Sequence, residues 1–370
     1  VPERFRIHFH RTRLHHRSTN QTNKEAVYKI FSDTMSSSIS DSPSTESVAL
    51  AREILLDTKE RYKKNGDSED ASPLFLFLYA DFCPWAERVW IALLERGLAF
   101  DEILCCYLVG PEKDRGTKLL YSMGFRTVPT VVLGVHNNGD DLQPTATALG
   151  KSSSLLAEYV DDLASAEASS SCSSDSLKPT DPAMLFHMRY FMEAHGSFCD
   201  NFYVYLQNQD RSRDDALAAK FEELLRGIEA NLGRFPDGPY LCGKQFTLAD
   251  LHVFGFVERA LLVMPRYKAE SWKIDPLQQG KTSNGDDGFP NLRRWYEAVT
   301  SRPSLRVVRG DRSEYSRDVM VFEATTREDY LIEVYEPYAN NEVRLAKDLH
   351  AAGSRPGYNA YKAAKQALKL

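Results

Sequence analysis

Seven consecutive positions, Leu74 to Ala80, carry no charge and are apolar at both odd and even places. A run of that kind predicts a strand buried on both faces inside a sheet. The period then changes. Ala86, Val89, Trp90, Leu93 and Leu94 recur at helical spacing behind Pro84, and Gly97 closes the segment, which predicts a helix with proline in its first turn and glycine past its end. Phe100 to Leu108 predicts a second strand, with Cys105 and Cys106 pointing to opposite faces. Gly124 to Leu133 predicts a third, opened by Pro129, because proline is excluded from a central ladder and a cis bond suits a strand entrance. Asn138-Gly139 predicts a hairpin into a strand over Leu142 to Thr147, and Ser152 to Leu163 a helix. The order strand, helix, strand, loop, strand, hairpin, strand, helix describes a compact α/β unit with a mixed sheet. A short amphipathic helix over Val48 to Lys64 and a polar break over Asn65 to Ser72 precede it.

Beyond this unit, Ala164 to Pro179 is rich in Ser and Ala and reads as a linker. The rest is helical in pattern. Leu217, Phe221, Leu224, Ile228 and Leu232 make one apolar stripe; Thr247 with Asp250, bracketed by Phe246 and Leu251, reads as a capping box with a hydrophobic staple. Trp272 to Pro290 reads as a polar insertion, Leu292 to Val299 as a helix ended before Pro303, and Arg327 to Tyr335 as a helix interrupted by Pro337, ahead of a basic, alanine-rich end.

Length and composition add limits. With 370 residues, 42% of them hydrophobic and 26% charged, the chain has room for two domains with a sizeable core. A net charge of −6 gives no reason to expect nucleic acid or an anionic membrane as partner. No apolar run approaches the roughly 20 residues of a spanning helix. The six cysteines lack metal-ligand and disulfide-framework spacing and read as reduced thiols, which places the chain in the cytoplasm with no metal. Residues 1–34 precede the first methionine, Met35, and are rich in Arg and poor in acids. They read as upstream sequence ahead of a start at Met35 or, alternatively, as a transit peptide to a plastid or mitochondrion. Ser36 to Ser47 reads as a mobile serine-rich segment.

The candidate chemistry centres on Cys83, between the first strand and Pro84. A thiol there meets free backbone N–H groups and the positive end of the helix dipole. Such cysteines titrate at roughly 3.5–7.5 instead of about 8.5, so a thiolate nucleophile is expected. Position 86 is alanine, so no resolving cysteine stands three residues on, and the chemistry is limited to one thiol. His187 and His252 lie in apolar helices and read as satisfied core histidines; Arg88 reads as structural.

Phe82-Cys83-Pro84-Trp85-Ala86-Glu87-Arg88-Val89 after a buried strand, Thr127-Val128-Pro129 before another, Glu158-Tyr159-Val160-Asp161, then Thr247-Leu248-Ala249-Asp250 and Ser301-Arg302-Pro303-Ser304, together resemble a cytosolic glutathione transferase. The string around Cys83 is similar to the omega, cysteine-type class. The resemblance covers roughly residues 73–310. It implies a thioredoxin-like domain that binds glutathione as co-substrate, followed by an all-helical domain that receives the second substrate. The corresponding partition is an extension over 1–47, the thioredoxin-like domain over 48–163, a linker over 164–181, the helical domain over 182–310 and a helical extension over 311–370.

By position, the resemblance implies that Cys83 forms a mixed disulfide with glutathione, flanked by Phe82 and Trp85. It implies that Val128 offers its backbone to the cysteinyl unit beside a cis Pro129, and that Ser152 and Ser153 contact the γ-glutamyl end. Two departures stand out. Ser152 replaces an acid usual in the family, with Asp140 or Asp141 as substitutes, and the usual lysine after the second strand falls on Gly110, near Lys113. The leading expectation is a glutathione-dependent thiol transferase or dehydroascorbate reductase, acting on a small electrophile or disulfide. The alternatives are a glutathionyl-hydroquinone reductase and a non-catalytic binding protein of the same fold. A homodimer is one assembly the resemblance admits.

Overall fold

The computed structural model describes residues 50, 53, 75–80, 82–98, 100–105, 115–133, 147–167, 176–277, 288–309 and 327–342. Strand β1 (Phe75–Tyr79) is central because Leu76, Phe77, Leu78 and Tyr79 are all buried, whichever face they point to. It leads into helix α1 (Pro84–Arg96), which has Cys83 as N-cap and proline in its first turn. The helix ends at Gly97, whose φ of 63° is a left-handed conformation that favours glycine. Strand β2 (Phe100–Leu104) runs parallel to β1, with Leu78 opposite Ile103.

Helix α2 (Arg115–Ser122) occupies the stretch predicted as a loop. It buries Leu119 and Leu120, and eight residues with no capping signal are too short a pattern to stand out in sequence. The Val128–Pro129 bond is cis, and β3 (Thr130–Leu133) begins immediately after it. Strand β4 covers Thr147–Leu149, which moves the fourth strand C-terminal to the predicted Leu142–Thr147. The order β2-β1-β3-β4, with β3 antiparallel to both neighbours, makes a mixed sheet. Helix α3 (Ser153–Glu167) packs on α1 and runs four residues past the predicted end, into the expected linker.

The helical unit comprises α4 (Pro182–Ala194), α5 (Gly196–Leu206), α6 (Asp214–Gly233), α7 (Leu248–Tyr267), α8 (Pro290–Thr300), α9 (Pro303–Val308) and α10 (Arg327–Ala339). Helix α7 is its centre: residues Leu248 to Ala260 are all buried, since α1, α3, α4, α5 and α10 surround it. It is opened by Asp250, whose carboxylate accepts from the Thr247 N–H at 2.8 Å, the Thr247 hydroxyl at 3.1 Å, the Leu241 N–H at 3.0 Å and the Trp295 indole at 2.8 Å. The capping box is thus also a core tie between three segments.

Asp161 does the same for the chain between the units. Fully buried, it accepts from the Leu177 N–H at 2.7 Å and the Ser176 hydroxyl at 2.8 Å and pairs with Arg96 at 3.0 Å, so 176–178 are fastened to α3. On α6 the buried stripe is Phe221, Leu225, Ile228 and Leu232, with Leu225 replacing Leu224 at the innermost place. Trp272, predicted to start a polar insertion, is buried against Tyr205 and Phe221. Pro337 lies inside α10 near its C-terminal end, and the burial of Leu331, Val334 and Tyr335 in the core holds the helix although proline supplies no N–H to it. The predicted helix over Val48–Lys64, apart from Leu50 and Glu53, and the Asn138-Gly139 hairpin lie outside the described residues, as do Cys106, Cys172, Gly110, Lys113, Asp140 and Asp141.

Candidate active site

Strand register brings the expected site residues to one end of the sheet. Leu78 near the exit of β1 faces Thr130 at the start of β3, and Val131 faces Leu149 at the exit of β4. Cys83 after β1, Val128-Pro129 before β3 and Ser152-Ser153 after β4 therefore share that end. Neither main-chain group of Val128 has a partner among the described residues, so both are available to an extended peptide-like ligand.

Cys83 is 9% exposed. Burial pushes its thiol above the ordinary value. The backbone N–H groups of Ala86 and Trp85 and the charge of Arg259 pull the other way, and Glu87 adds to the upward push. The preformed thiolate expected from helix position is thus reversed in this closed arrangement: desolvation outweighs the helix terminus.

The cover comes from the helical unit. Tyr335 of α10 donates its hydroxyl to the Phe82 carbonyl at 3.2 Å, and the Arg259 guanidinium of α7 donates to the same oxygen at 3.2 Å. Arg259 is fully buried and pairs with Glu87 of α1 and, at 3.2 Å, with Glu258; Glu258 also accepts from Arg309 at 2.6 Å. The Trp85 ring stacks on Tyr203 at 5.2 Å, and Tyr203 and Tyr335 hydroxyls stand 3.4 Å apart. Tyr203, Tyr335 and Tyr338 all lie within electrostatic reach of Cys83, and burial raises all three phenols, Tyr335 to about 12. Sequence reading missed Arg259 and these tyrosines; the one available signal was Glu87, an acid on a face otherwise buried.

Ser152 caps α3, its Oγ accepting from the Leu155 N–H at 3.3 Å, while Ser153 Oγ accepts from Arg88 at 3.1 Å. His252 is buried, with Nδ1 3.4 Å from Ser154 Oγ and a hydrogen bond between the ring and the His195 main chain; neither its Nε2 nor His187 Nε2 has a close partner among the described residues. The expected satisfaction is thus partial at both places: each ring has a hydrogen bond, and Nε2 lacks a close one among the described residues. Desolvation and the nearby Arg88 push His252 down to about 3, so it stays neutral. Arg302, from the Ser-Arg-Pro-Ser string, grips Glu95 of α1 with two bonds at 2.8 and 2.6 Å and lies over the Phe246 ring, which gives that string a role in joining the two units. Among the described residues no group of three or more His, Cys, Asp or Glu could hold a metal ion, and no helix is long and apolar enough to cross a membrane.

A mixed four-stranded sheet with a cysteine-capped helix, a cis-proline strand entrance and an appended helical unit defines a thioredoxin-like domain joined to an all-helical domain. Residues 82–163 match the glutathione S-transferase N-terminal domain and 214–298 the glutathione S-transferase C-terminal domain. The chain is 30% identical over 219 residues to Protein IN2-1 homolog A of Oryza sativa subsp. japonica, covering 59% of this chain and 73% of that protein. The chain belongs to the glutathione S-transferase family. The same fold appears in the omega 3C glutathione transferase of Trametes versicolor, at 18% identity and TM-score 0.50 over 80% of this chain and 98% of that one. It appears also in the Tau class glutathione S-transferase of mango, Mangifera indica, at 16% identity and TM-score 0.50 over 71% and 98%.

Proposed function

We propose that this protein is an omega-like glutathione transferase acting as a one-thiol transferase and reductase, with Cys83 as nucleophile and glutathione as co-substrate. The observation that carries this reading is the position of Cys83 at the N-cap of α1, at the sheet end that also holds the unpaired backbone of Val128. Glutathione lies with its cysteinyl unit along Val128, beside Pro129, with Phe82 and Trp85 flanking its sulfur and its γ-glutamyl end at Ser152 and Ser153. Cys83 thiolate attacks the glutathionyl sulfur of a mixed disulfide. The Cys83–glutathione bond forms, the substrate disulfide breaks, and the released thiolate takes a proton. A second glutathione thiolate attacks the mixed disulfide, giving glutathione disulfide and free Cys83. Ala86 cannot resolve the intermediate, so turnover requires that second glutathione.

Burial keeps Cys83 protonated while α10 covers it, and ionisation accompanies uncovering; the Ala86 and Trp85 N–H groups and Arg259 then stabilise the anion. In this reading 48–163 holds glutathione, 182–310 the second substrate, and α10, within the 311–370 extension, supplies the cover. The cytoplasm is the compartment that suits the buried free thiols Cys83, Cys105, Cys199 and Cys242. The exposed Leu155, Phe186 and Tyr190 on α3 and α4 support a homodimer.

The test is reduction of a glutathionylated small disulfide and of dehydroascorbate by wild type and Cys83→Ser. Activity lost in the variant supports the reading; wild type without glutathione-dependent activity overturns it in favour of a binding protein. One observation favours a second reading, reduction of glutathionyl-hydroquinones: three buried phenols that burial keeps protonated lie within electrostatic reach of Cys83, a supply of protons for the departing quinol. There Cys83 attacks the thioether sulfur, the carbon–sulfur pair goes to the ring carbon, and that carbon takes a proton. Faster turnover of a glutathionyl-hydroquinone than of the disulfide would select it.

A further inference from the structure

Arg88 is a buried cation without an anion. It is 4% exposed, and its five donors go to the His252 carbonyl (3.0 and 2.5 Å), Ser153 Oγ (3.1 Å), Ser154 Oγ (3.4 Å) and Cys199 Sγ (3.0 Å). No carboxylate is paired with it among the described residues, and the only anion-forming groups that act on it are the thiols of Cys199 and Cys83. Cys199 does not serve as the counter-ion, because burial raises its thiol. The other buried guanidinium of this interface, Arg259, has two carboxylates. A buried charge left unpaired is strongly disfavoured, so the contrast points to an anion that arrives with a ligand.

The hydroxyl of Ser153 shows where that anion sits. A guanidinium N–H can only donate, so the bond from Arg88 occupies a lone pair of Ser153 Oγ and leaves its O–H to point elsewhere. Ser153 is the first residue of α3, a helix of 15 residues, whose free N–H groups favour negative charge at the same place. Ser154 repeats the arrangement: its Oγ receives Arg88 at 3.4 Å and stands 3.4 Å from His252 Nδ1. One guanidinium thus sets two hydroxyls at the helix entrance.

We propose that Arg88 is a positioning residue for glutathione: through the Ser153 hydroxyl it aims a proton at the α-carboxylate of the γ-glutamyl unit and supplies the buried positive charge that this carboxylate offsets. The inference rests on the glutathione site proposed above. It assigns a ligand-binding role to a side chain that sequence position marks as structural.

The experiment compares glutathione with cysteinylglycine, which has the same thiol but lacks the γ-glutamyl unit, as reductants of hydroxyethyl disulfide by the full chain. Wild type, Arg88→Met, Arg88→Lys and Ser153→Ala are measured. The ratio of KM for glutathione to KM for cysteinylglycine rises about ten-fold or more in Arg88→Met, as for loss of a charge-assisted hydrogen bond. It rises in the same direction in Ser153→Ala and by less in Arg88→Lys. A purely structural Arg88 moves both constants together and leaves the ratio unchanged, which overturns the inference. If Arg88→Met does not fold, an unchanged ratio in Ser153→Ala overturns it alone. Wild type that turns over neither thiol overturns the glutathione reading itself; wild type active with both and an unchanged ratio in the variants overturns only the role of Arg88.

Discussion

The Tyr335 hydroxyl donates to the carbonyl of Phe82, the residue before the candidate nucleophile, across 253 positions of sequence. Helix α10, C-terminal to the matched helical domain, thereby closes on the peptide that carries Cys83. Tyr267 Oη donating to the Ile332 carbonyl at 2.6 Å and Gln209 Nε2 donating to the Ala339 carbonyl at 2.7 Å fasten the same helix at two further points.

Removing that latch exposes the thiol. Tyr335→Phe is expected to alkylate at Cys83 with iodoacetamide several-fold faster than wild type at pH 7.5. In wild type the rate climbs with pH to a midpoint above the ordinary thiol value, because burial raises Cys83, and in the variant the midpoint moves down. Identical pH profiles would show that α10 does not control the thiol.

Arg259 joins both units at the nucleophile. Arg259→Met takes the Arg259 guanidinium away from the buried Glu87 and removes one donor from the Phe82 carbonyl. Loss of a partner from a buried pair costs about 3–5 kcal/mol, so urea unfolding is expected to shift by that amount; a shift under about 1 kcal/mol would reduce the network to a minor tie.

Two groups of α7 give opposite pH dependences. His252 titrates at about 3 when folded against an ordinary 6.5. Between those values the unfolded chain binds the extra proton, so its contribution is present above pH 6.5 and is lost as pH falls towards 3. Asp250 titrates at about 6 against an ordinary 3.8. There the folded chain holds the extra proton, so its contribution is present below 3.8 and is lost as pH rises through 6. Between pH 3.8 and 6 the slopes oppose, each bounded by about 1.4 kcal/mol per unit. Relative to wild type, Asp250→Asn should lose stability more steeply from pH 6 to 4, and His252→Gln should gain it; curves parallel to wild type would refute both.

Among the described residues the exposed apolar surface has one stacked pair. Phe186 is 71% and Tyr190 58% exposed, stacked at 6.1 Å one helical turn apart, and Leu155 of α3 is exposed as well. Light scattering is expected to give a dimer for wild type and a monomer for Phe186→Asp with Tyr190→Asp. A monomeric wild type would remove the assembly.

The sequence by itself determined what local signals carry. An apolar run, a proline and a glycine define β1 and α1 with Cys83 between them; Val128-Pro129 defines the entrance of β3; Thr247 with Asp250 opens α7. These depend on backbone preferences and periodicity within a few residues. Helix α2 and the passage of α10 through Pro337 were not legible, because packing against distant residues stabilises them against weak local propensity. Only the tertiary structure decided the electrostatics of the site. Position at a helix terminus pointed to a thiolate at Cys83, whereas the burial imposed around it holds a thiol, and desolvation depends on which chain segments meet. The same holds for Arg88 and Arg259. Each is one arginine in a largely buried helix, and folding gives Arg259 two carboxylates and Arg88 none among the described residues.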